Sequence, residues 1–132
     1  MESEKKITLN NNFKCPVLGL GTSHMQKAED VIYQSIKDGT RLIDTASKYE
    51  NEVEVGKGIK KAIDEGIVKR EDLFVVTKMW PDEKEDPEKA LKQSLERLNL
   101  SYVDLFLDHW PCGKCYNGKI NVQNLSIVLS IC

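Results

Sequence analysis

Short apolar runs alternate with amphipathic helical patterns along most of this chain. The runs that predict strands cover residues 17–20, 41–43, 73–76 and 102–107. Strands that alternate with helices in this way are typical of parallel βα units. We therefore expect an α/β fold in which a parallel sheet is covered by helices.

Three segments between these runs show the helical spacing of apolar residues. The first covers about residues 26–37, the second about residues 51–65, and the third begins at Asp86 as its N-cap, with a proline directly after it. The predicted buried stripes are Ala28, Val31, Ile32 and Ile36 in the first helix, Val55, Ile59, Ala62 and Ile63 in the second, and Leu91, Leu95 and Leu98 in the third. Gly39 and Gly66 follow the first two helices, where left-handed caps are expected.

The two ends of the chain differ from this alternating pattern. Residues 7–9 and 13–15 are short runs joined by three asparagines, which predicts a hairpin before the first βα unit. After Pro111 a polar, glycine-containing segment leads into an apolar run without a helical stripe. The sequence thus predicts one domain over residues 1–111 and a divergent tail over residues 112–132.

Composition and charge favour a small-molecule partner. Charged residues make up 30% of the chain and the net charge is −2, with both signs mixed. No basic stripe therefore indicates binding to nucleic acid or to an anionic membrane. The charged start, residues 1–6, is not followed by an apolar stretch long enough for a signal peptide or a membrane span. We expect a cytoplasmic location.

The four cysteines predict neither a disulfide framework nor a metal site. Cys15, Cys112, Cys115 and Cys132 are sparse and unevenly spaced, which in a cytoplasmic chain indicates thiols. Cys112 and Cys115 form a C-x-x-C pair, a spacing that also occurs in redox pairs and zinc sites. The sequence holds no second C-x-x-C or histidine pair to complete a tetrahedral site, so an inert loop is favoured.

Polar residues with catalytic potential stand at the ends of three predicted strands. Asp44 follows the second run, Lys78 the third and His109 the fourth, while Tyr49 lies five residues after Asp44. The carboxyl ends of strands in an α/β barrel converge on one face, which carries the active site. Taken singly, these residues also fit a strand-end cap, a packing tyrosine, a solvated lysine and a structural histidine.

Four sequence strings resemble the successive signatures of the aldo-keto reductases, a family of NADPH-dependent carbonyl reductases built on a (β/α)8 barrel. The strings are P-V-L-G-L-G-T from Pro16, D-x-A-x-x-Y-x-N-E from Asp44, T-K at Lys78 and H-W-P from His109. They occur in the family's order and at similar intervals. The resemblance covers about residues 7–111.

The resemblance implies the amino-terminal half of a TIM barrel preceded by a β-hairpin. A complete barrel takes about 250 residues, whereas this chain has 132, so an incomplete barrel is expected. A frameshift, a read-through or an alternative end after the fourth barrel strand is our hypothesis for this ending. Exposed strand edges in such a fragment are expected to cause self-association.

The resemblance also implies roles in the reduction of a carbonyl substrate. Tyr49 would donate the proton, with Lys78 stabilising the phenolate and Asp44 keeping Lys78 charged. His109 would orient and polarise the carbonyl oxygen. Tyr49, His109 and Trp110 would contact the substrate.

The implied cofactor is NADPH. In the family, the loop after the first barrel strand touches the nicotinamide half of the cofactor; here this loop is Gly21, Thr22 and Ser23, with Asp44 nearby. Gly19 and Gly21 form only a G-x-G, without the further glycine and acidic residue of a Rossmann turn. The family's phosphate-gripping residues belong to the second half of the barrel, so weak or absent NADPH binding is expected in the truncated chain.

Two alternatives to an active reductase stay open: a non-catalytic interaction fragment, and the decayed product of a reductase gene. The missing second half favours these alternatives, and the intact set of four residues favours descent from an active enzyme. Asp108 departs from the family, which has an apolar residue there. Strand alternation turns Asp108 toward the helix layer, where an unpaired carboxylate would be costly.

The charge run over residues 82–88 is predicted to be a solvated loop.

Overall fold

Residues 5–110, the part of the chain that the computed structural model describes, form a hairpin followed by alternating strands and helices. The elements are β1 (Lys6–Thr8), β2 (Lys14–Pro16), β3 (Leu20–Gly21), α1 (Ala28–Lys37), β4 (Leu42–Asp44), α2 (Glu52–Asp64), β5 (Phe74–Met79), α3 (Pro87–Leu98) and β6 (Leu105–Asp108). Short 3-10 turns cover Ser47–Tyr49, Arg70–Asp72 and Pro81–Glu83. The predicted tail over residues 112–132, with the Cys112 and Cys115 pair, lies outside the described residues.

The main sheet has the strand order β3, β4, β5, β6, and every neighbouring pair is parallel. Asp44 stands opposite Val76, and Lys78 stands opposite Leu107. Sequential parallel strands need a crossover, and the helices supply it between consecutive strands. This arrangement is the one predicted for the first strands of an α/β barrel.

The predicted hairpin forms, and Ile7 pairs with Cys15 in its antiparallel ladder. Its first strand begins one residue earlier than predicted and its second strand one residue later. The first barrel strand is shorter and later than predicted: β3 covers Leu20–Gly21 only. Leu20 pairs with Ile43, so Val17 and Leu18 extend past the start of β4 and have no strand beside them. Their side chains are 51% and 77% exposed.

The core lies between the helices and the sheet. Its buried apolar residues include Ile32 and Ile36 of α1, Val55 and Ile59 of α2, and Val75 and Phe106 of the sheet. Each such side chain stabilises the fold by about 1.5–3 kcal/mol relative to an exposed position. Two glycines of α2 bring the helices close together, since a Cβ on Gly56 would lie 2.2 Å from the Leu98 carbonyl oxygen and one on Gly58 2.6 Å from the Glu29 carbonyl oxygen.

Helix caps and most of the predicted stripes agree with the structure. The Asp86 side chain accepts a hydrogen bond from the Lys89 amide at 3.0 Å, and Gly39 and Gly66 have φ values of 108° and 71°. The predicted stripe is wrong at Val31, which is 39% exposed. In α3 the most buried positions are Ala90, Ser94 and Leu98, whereas Leu91 and Leu95 are only partly buried.

Candidate active site

Three strand ends and one turn bring the four candidate residues together. Asp44 ends β4, Lys78 is the next-to-last residue of β5, and His109 follows β6. Tyr49 ends the 3-10 turn Ser47–Tyr49, which leaves β4 on the same side. The parallel register places the three strand ends at one edge of the sheet, so the four side chains share one surface.

Lys78 is the centre of this group. Its Nζ lies 2.6 Å from Asp44 Oδ1 and donates a hydrogen bond to the Thr45 carbonyl oxygen at 3.0 Å. The Lys78 side chain is 12% exposed and that of Asp44 is 37% exposed. An ammonium group with so little contact to water is costly unless an anion lies beside it. Asp44 supplies that anion.

Tyr49 stands next to the ammonium group of Lys78. Lys78 Nζ donates to the Tyr49 hydroxyl oxygen at 3.5 Å and lies 5.1 Å from the centre of the tyrosine ring. The turn that carries Tyr49 ends at Glu50, whose φ of 57° is left-handed. The Tyr49 hydroxyl and the Lys78 ammonium group are therefore direct neighbours in this cluster.

His109 lies in an aromatic environment. Its ring meets the Tyr49 ring edge-on at 5.5 Å and the Trp80 ring edge-on at 5.1 Å, and it stacks on Trp110 at 6.3 Å. The backbone amide of His109 donates to the Met79 carbonyl oxygen, which holds the residue against β5. Nδ1 is buried and has no hydrogen-bond partner within residues 5–110.

The surroundings of His109 favour its neutral form. Burial lowers the pKa of the imidazole below its usual value of 6.5, and the positive charge of Lys78 lowers it further. The carboxylates of Asp44 and Asp108 act in the opposite direction with smaller effect. A neutral imidazole can donate an N–H hydrogen bond without acting as a strong acid.

This lowered pKa predicts a loss of stability in acid. The unfolded chain binds a proton on His109 near pH 6.5, whereas the folded chain does so only at lower pH. Protonation therefore favours the unfolded chain as the pH falls through 6.5 toward the folded pKa. Urea unfolding between about pH 8 and about pH 5 measures this effect. The free energy of unfolding should fall less steeply with decreasing pH in His109→Gln than in the wild type. The same pH dependence in both proteins would contradict the lowered pKa of His109. The matched control is His24→Gln, because His24 is exposed.

The loop after β3 carries the predicted cofactor residues. A Cβ on Gly21 would meet no atom within 4 Å, so open space lies beside this residue. Thr22 is fully buried: its hydroxyl donates to Thr45 Oγ1 at 2.9 Å, and its carbonyl oxygen accepts from Asn51 Nδ2 at 2.8 Å. Ser23 is exposed. Thr22 therefore anchors the loop, and Gly21 and Ser23 on either side of it are exposed.

A cavity of about 420 Å³ opens beside Tyr49 and His109. Its lining consists of Ser23, His24, Lys48, Tyr49, Glu50, Trp80, His109 and Trp110. The volume falls within the range of small-molecule sites. The three residues predicted to contact a substrate all line it, and the sequence reasoning missed Trp80. Another cavity of similar volume lies at the opposite ends of the strands, beneath the hairpin, and contains none of the four candidate residues.

Glu52, the last residue of the D-x-A-x-x-Y-x-N-E string, is a buried carboxylate for which no role was predicted. The Glu52 side chain is 1% exposed and pairs with Arg97 Nε at 2.7 Å. It also accepts hydrogen bonds from the hydroxyls of Thr77 and Ser94. Thr77 directly precedes Lys78, so this network joins α2 and α3 to the strand that carries the ammonium group.

The prediction that residues 82–88 form a solvated loop is wrong in part, because Pro87 and Glu88 already belong to α3 and Glu83 and Lys84 are partly buried. Glu83 accepts hydrogen bonds from the Ser47 hydroxyl and the Trp80 amide, and Lys84 forms an ion pair with Asp108 at 2.6 Å. The Asp108 side chain is 6% exposed, so the carboxylate that departs from the expected pattern is both buried and paired. Local charge patterns do not reveal these contacts because the partners lie on other elements.

The described residues also bear on the cysteines, on metal sites and on membrane-spanning helices. Cys15 is a free thiol, and burial raises its pKa with a smaller contribution from Asp104. Among residues 5–110, no group of three or more histidine, cysteine or acidic residues could hold a metal ion. In the same part of the chain, no helix has the length and apolar character needed to cross a membrane.

Comparison with known proteins gives consistent matches. The model of the Aldo/keto reductase family matches residues 17–124, which extends past Pro111. The NAD(P)H-dependent D-xylose reductase of Pachysolen tannophilus is 49% identical over 106 residues, which are 79% of this chain and 33% of that protein. The NADH-dependent D-xylose reductase of Candida parapsilosis is 49% identical over 112 residues, 82% of this chain and 35% of that protein.

A solved structure gives the same result. The crystal structure of a Bombyx mori aldo-keto reductase in complex with NADP superposes with a TM-score of 0.81 at 36% identity, covering 92% of this chain and 43% of that one. This similarity confirms the predicted α/β fold with parallel strands of a TIM barrel. The chain spans about a third of the length of the curated relatives it matches.

Proposed function

The chain belongs to the aldo/keto reductase family, and we propose that its four clustered residues take part in the reduction of an aldehyde or ketone to an alcohol. The observation that carries the proposal is the position of Lys78 Nζ, 2.6 Å from Asp44 Oδ1 and 3.5 Å from the Tyr49 hydroxyl. A cation held between a carboxylate and a phenol is suited to the transfer of a phenolic proton.

Each residue has one task in this proposal. The Tyr49 hydroxyl gives its proton to the carbonyl oxygen of the substrate, and Lys78 stabilises the phenolate that forms. Asp44 keeps the Lys78 ammonium charged in its poorly solvated position. Neutral His109 orients the carbonyl oxygen through an N–H group at the cavity wall. Solvent returns the proton to Tyr49 after the alcohol leaves.

NADPH is the proposed cofactor, and it supplies the hydride for the carbonyl carbon when it is bound. Gly21 and Ser23 would hold its nicotinamide half, with Asp44 next to them, because open space lies beside Gly21. Thr22 would support this loop through its contacts with Thr45 and Asn51. Relatives include NAD(P)H- and NADH-dependent D-xylose reductases. D-xylose with each coenzyme is therefore the first substrate to assay.

The decisive experiment compares two polypeptides, the 132 residues alone and a chimera. The chimera joins residues 1–111 to the corresponding carboxyl-terminal part of the Pachysolen tannophilus reductase, which is 49% identical over the matched region. We expect the chimera to reduce D-xylose or a simple aldehyde with NADPH. A folded chimera that binds NADPH and reduces no aldehyde or ketone would favour the non-catalytic alternative.

NADPH binding should differ strongly between the two polypeptides. The family resemblance assigns the phosphate-gripping residues to the second half of the barrel, and two or three charge-assisted hydrogen bonds contribute about 1.5–3 kcal/mol each. Their loss weakens binding by roughly 10²- to 10⁶-fold. Fluorescence titration should therefore show no saturable low-micromolar binding by the 132 residues alone.

The oligomeric state must be measured in the same experiment. The outer strands β3 and β6 have no second neighbour within residues 5–110. Self-association through these edges could bring two halves together and rebuild a site. Light scattering gives the oligomeric state of the 132-residue chain. If it shows a monomer and the fluorescence titration shows tight NADPH binding, the expectation of weak binding is wrong.

A further inference from the structure

The segment after β5 contacts two of the elements that position proposed catalytic side chains, the turn that ends at Tyr49 and the strand end before His109. It consists of the turn Pro81–Glu83 and the next residue, Lys84. On one side it reaches the turn that ends at Tyr49, and on the other it reaches the strand end before His109. Glu83 and Lys84 therefore lie between two groups that must keep a fixed separation.

Glu83 joins the Tyr49 turn to the cavity wall. Its Oε2 accepts a hydrogen bond from Ser47 Oγ at 2.7 Å and another from the Trp80 amide at 2.6 Å. Ser47 is the first residue of the turn that ends at Tyr49. Hydrogen bonds to a carboxylate are about twice as strong as neutral ones. One carboxylate oxygen thus holds both the turn and Trp80.

Lys84 holds the His109 segment from both sides. Its Nζ lies 2.6 Å from Asp108 Oδ2 and donates to the Trp110 carbonyl oxygen at 2.7 Å. Asp108 and Trp110 are the chain neighbours of His109. The side chains of Lys84 and Asp108 are only 21% and 6% exposed. Removal of one partner from an ion pair with so little solvent around it leaves an unpaired buried charge, which strongly destabilises the fold.

We propose that Glu83 and Lys84 are positioning residues that set the distance between Tyr49 and His109. Through them, a single segment determines where the phenol, the imidazole and the two tryptophans of the cavity wall stand. The roles of Tyr49 and His109 in this statement rest on the proposed function. The positions themselves can be tested without any turnover.

Intrinsic fluorescence reports on this region directly, because Trp80 and Trp110 are the only tryptophans in the sequence. Each can be observed alone in a Trp110→Phe or a Trp80→Phe background. We expect Glu83→Leu to increase acrylamide quenching of Trp80 in the native state. We expect Lys84→Met to increase quenching of Trp110, and Lys84→Arg to restore it.

The matched control is Lys92→Met. Lys92 forms an ion pair with Glu88 at a similar 2.7 Å, but both side chains are exposed, at 67% and 79%. This variant should change the quenching of neither tryptophan. If Lys84→Met does not fold, Asp108→Asn carries the same test, since it removes the charge and keeps the shape of the side chain.

A purely structural role gives a different result. Glu83→Leu and Lys84→Met would then lower the unfolding temperature and leave native-state quenching unchanged, which would overturn the proposal. In the chimera, displacement of the site by about 1 Å should reduce kcat/KM by up to about 10²-fold. An inactive wild-type chimera would count against the proposed function only, because the quenching measurements do not depend on activity.

Discussion

Tyr49→Phe is expected to reduce the rate of carbonyl reduction by about 10²- to 10⁴-fold, the usual contribution of a general acid. The substitution removes the hydroxyl that lies 3.5 Å from Lys78 Nζ and keeps the ring that meets His109 at 5.5 Å. Cofactor binding should barely change, because the loop at Gly21 and Ser23 is untouched. Single-turnover kinetics of the chimera with saturating NADPH is the measurement.

Tyr33→Phe is the matched control for this prediction. The Tyr33 hydroxyl also takes part in a close hydrogen bond, to Glu65 Oε2 at 2.6 Å, but it lies on α1 away from the cavity. Its loss should leave turnover unchanged. If the Tyr49 variant folds, binds NADPH and turns over at the wild-type rate, the proton comes from another group and the mechanism is wrong.

Strand and helix order could be predicted from sequence because each element has a clear periodic pattern and a local end signal. Asp86 and Gly66 are such signals, and both cap helices as expected. The boundaries of β3 could not be predicted in the same way. They depend on where β4 begins beside it, so the apolar Val17 and Leu18 resemble a strand although no β4 residue lies beside them.

The four candidate residues were recognisable because three of them stand at strand ends and the register of a parallel sheet brings such ends together. Their separations were not recognisable. The distance from Tyr49 to Lys78 depends on a 3-10 turn closed by Glu50 in a left-handed conformation, and Glu50 is not the glycine that usually signals one. The sequence therefore indicates which residues meet, and the turn decides how closely.

The supporting residues were harder to find because their partners are remote in sequence. Glu83 contacts Ser47, which is 36 residues away, and Arg97 contacts Glu52, which is 45 residues away. A charge run looks like a solvated loop when only neighbouring residues are considered. Burial was the missing information, since a charge in a poorly solvated position requires a partner.

Arg97→Met is expected to lower the free energy of unfolding by about 3 kcal/mol, the lower end of the range for breaking a buried ion pair. Glu52 would keep only its hydroxyl donors, Thr77 and Ser94, around a carboxylate that is 1% exposed. The lower end applies because the Arg97 side chain is 36% exposed and water already screens part of its charge. Urea denaturation of the chain is the measurement.

The control for this prediction is Lys60→Met. Lys60 and Asp64 form an ion pair at 2.8 Å in which both side chains are 58% exposed, so its loss should cost less than about 1 kcal/mol. Equal effects in the two variants would mean that the Glu52 carboxylate is solvated when Arg97 is removed. If instead Arg97→Met is clearly the more damaging, the double variant Arg97→Met, Glu52→Leu should recover part of the lost free energy of unfolding. In the double variant no unpaired charge is buried. Thr77 directly precedes Lys78, so the network around Glu52 reaches the strand that holds the ammonium group.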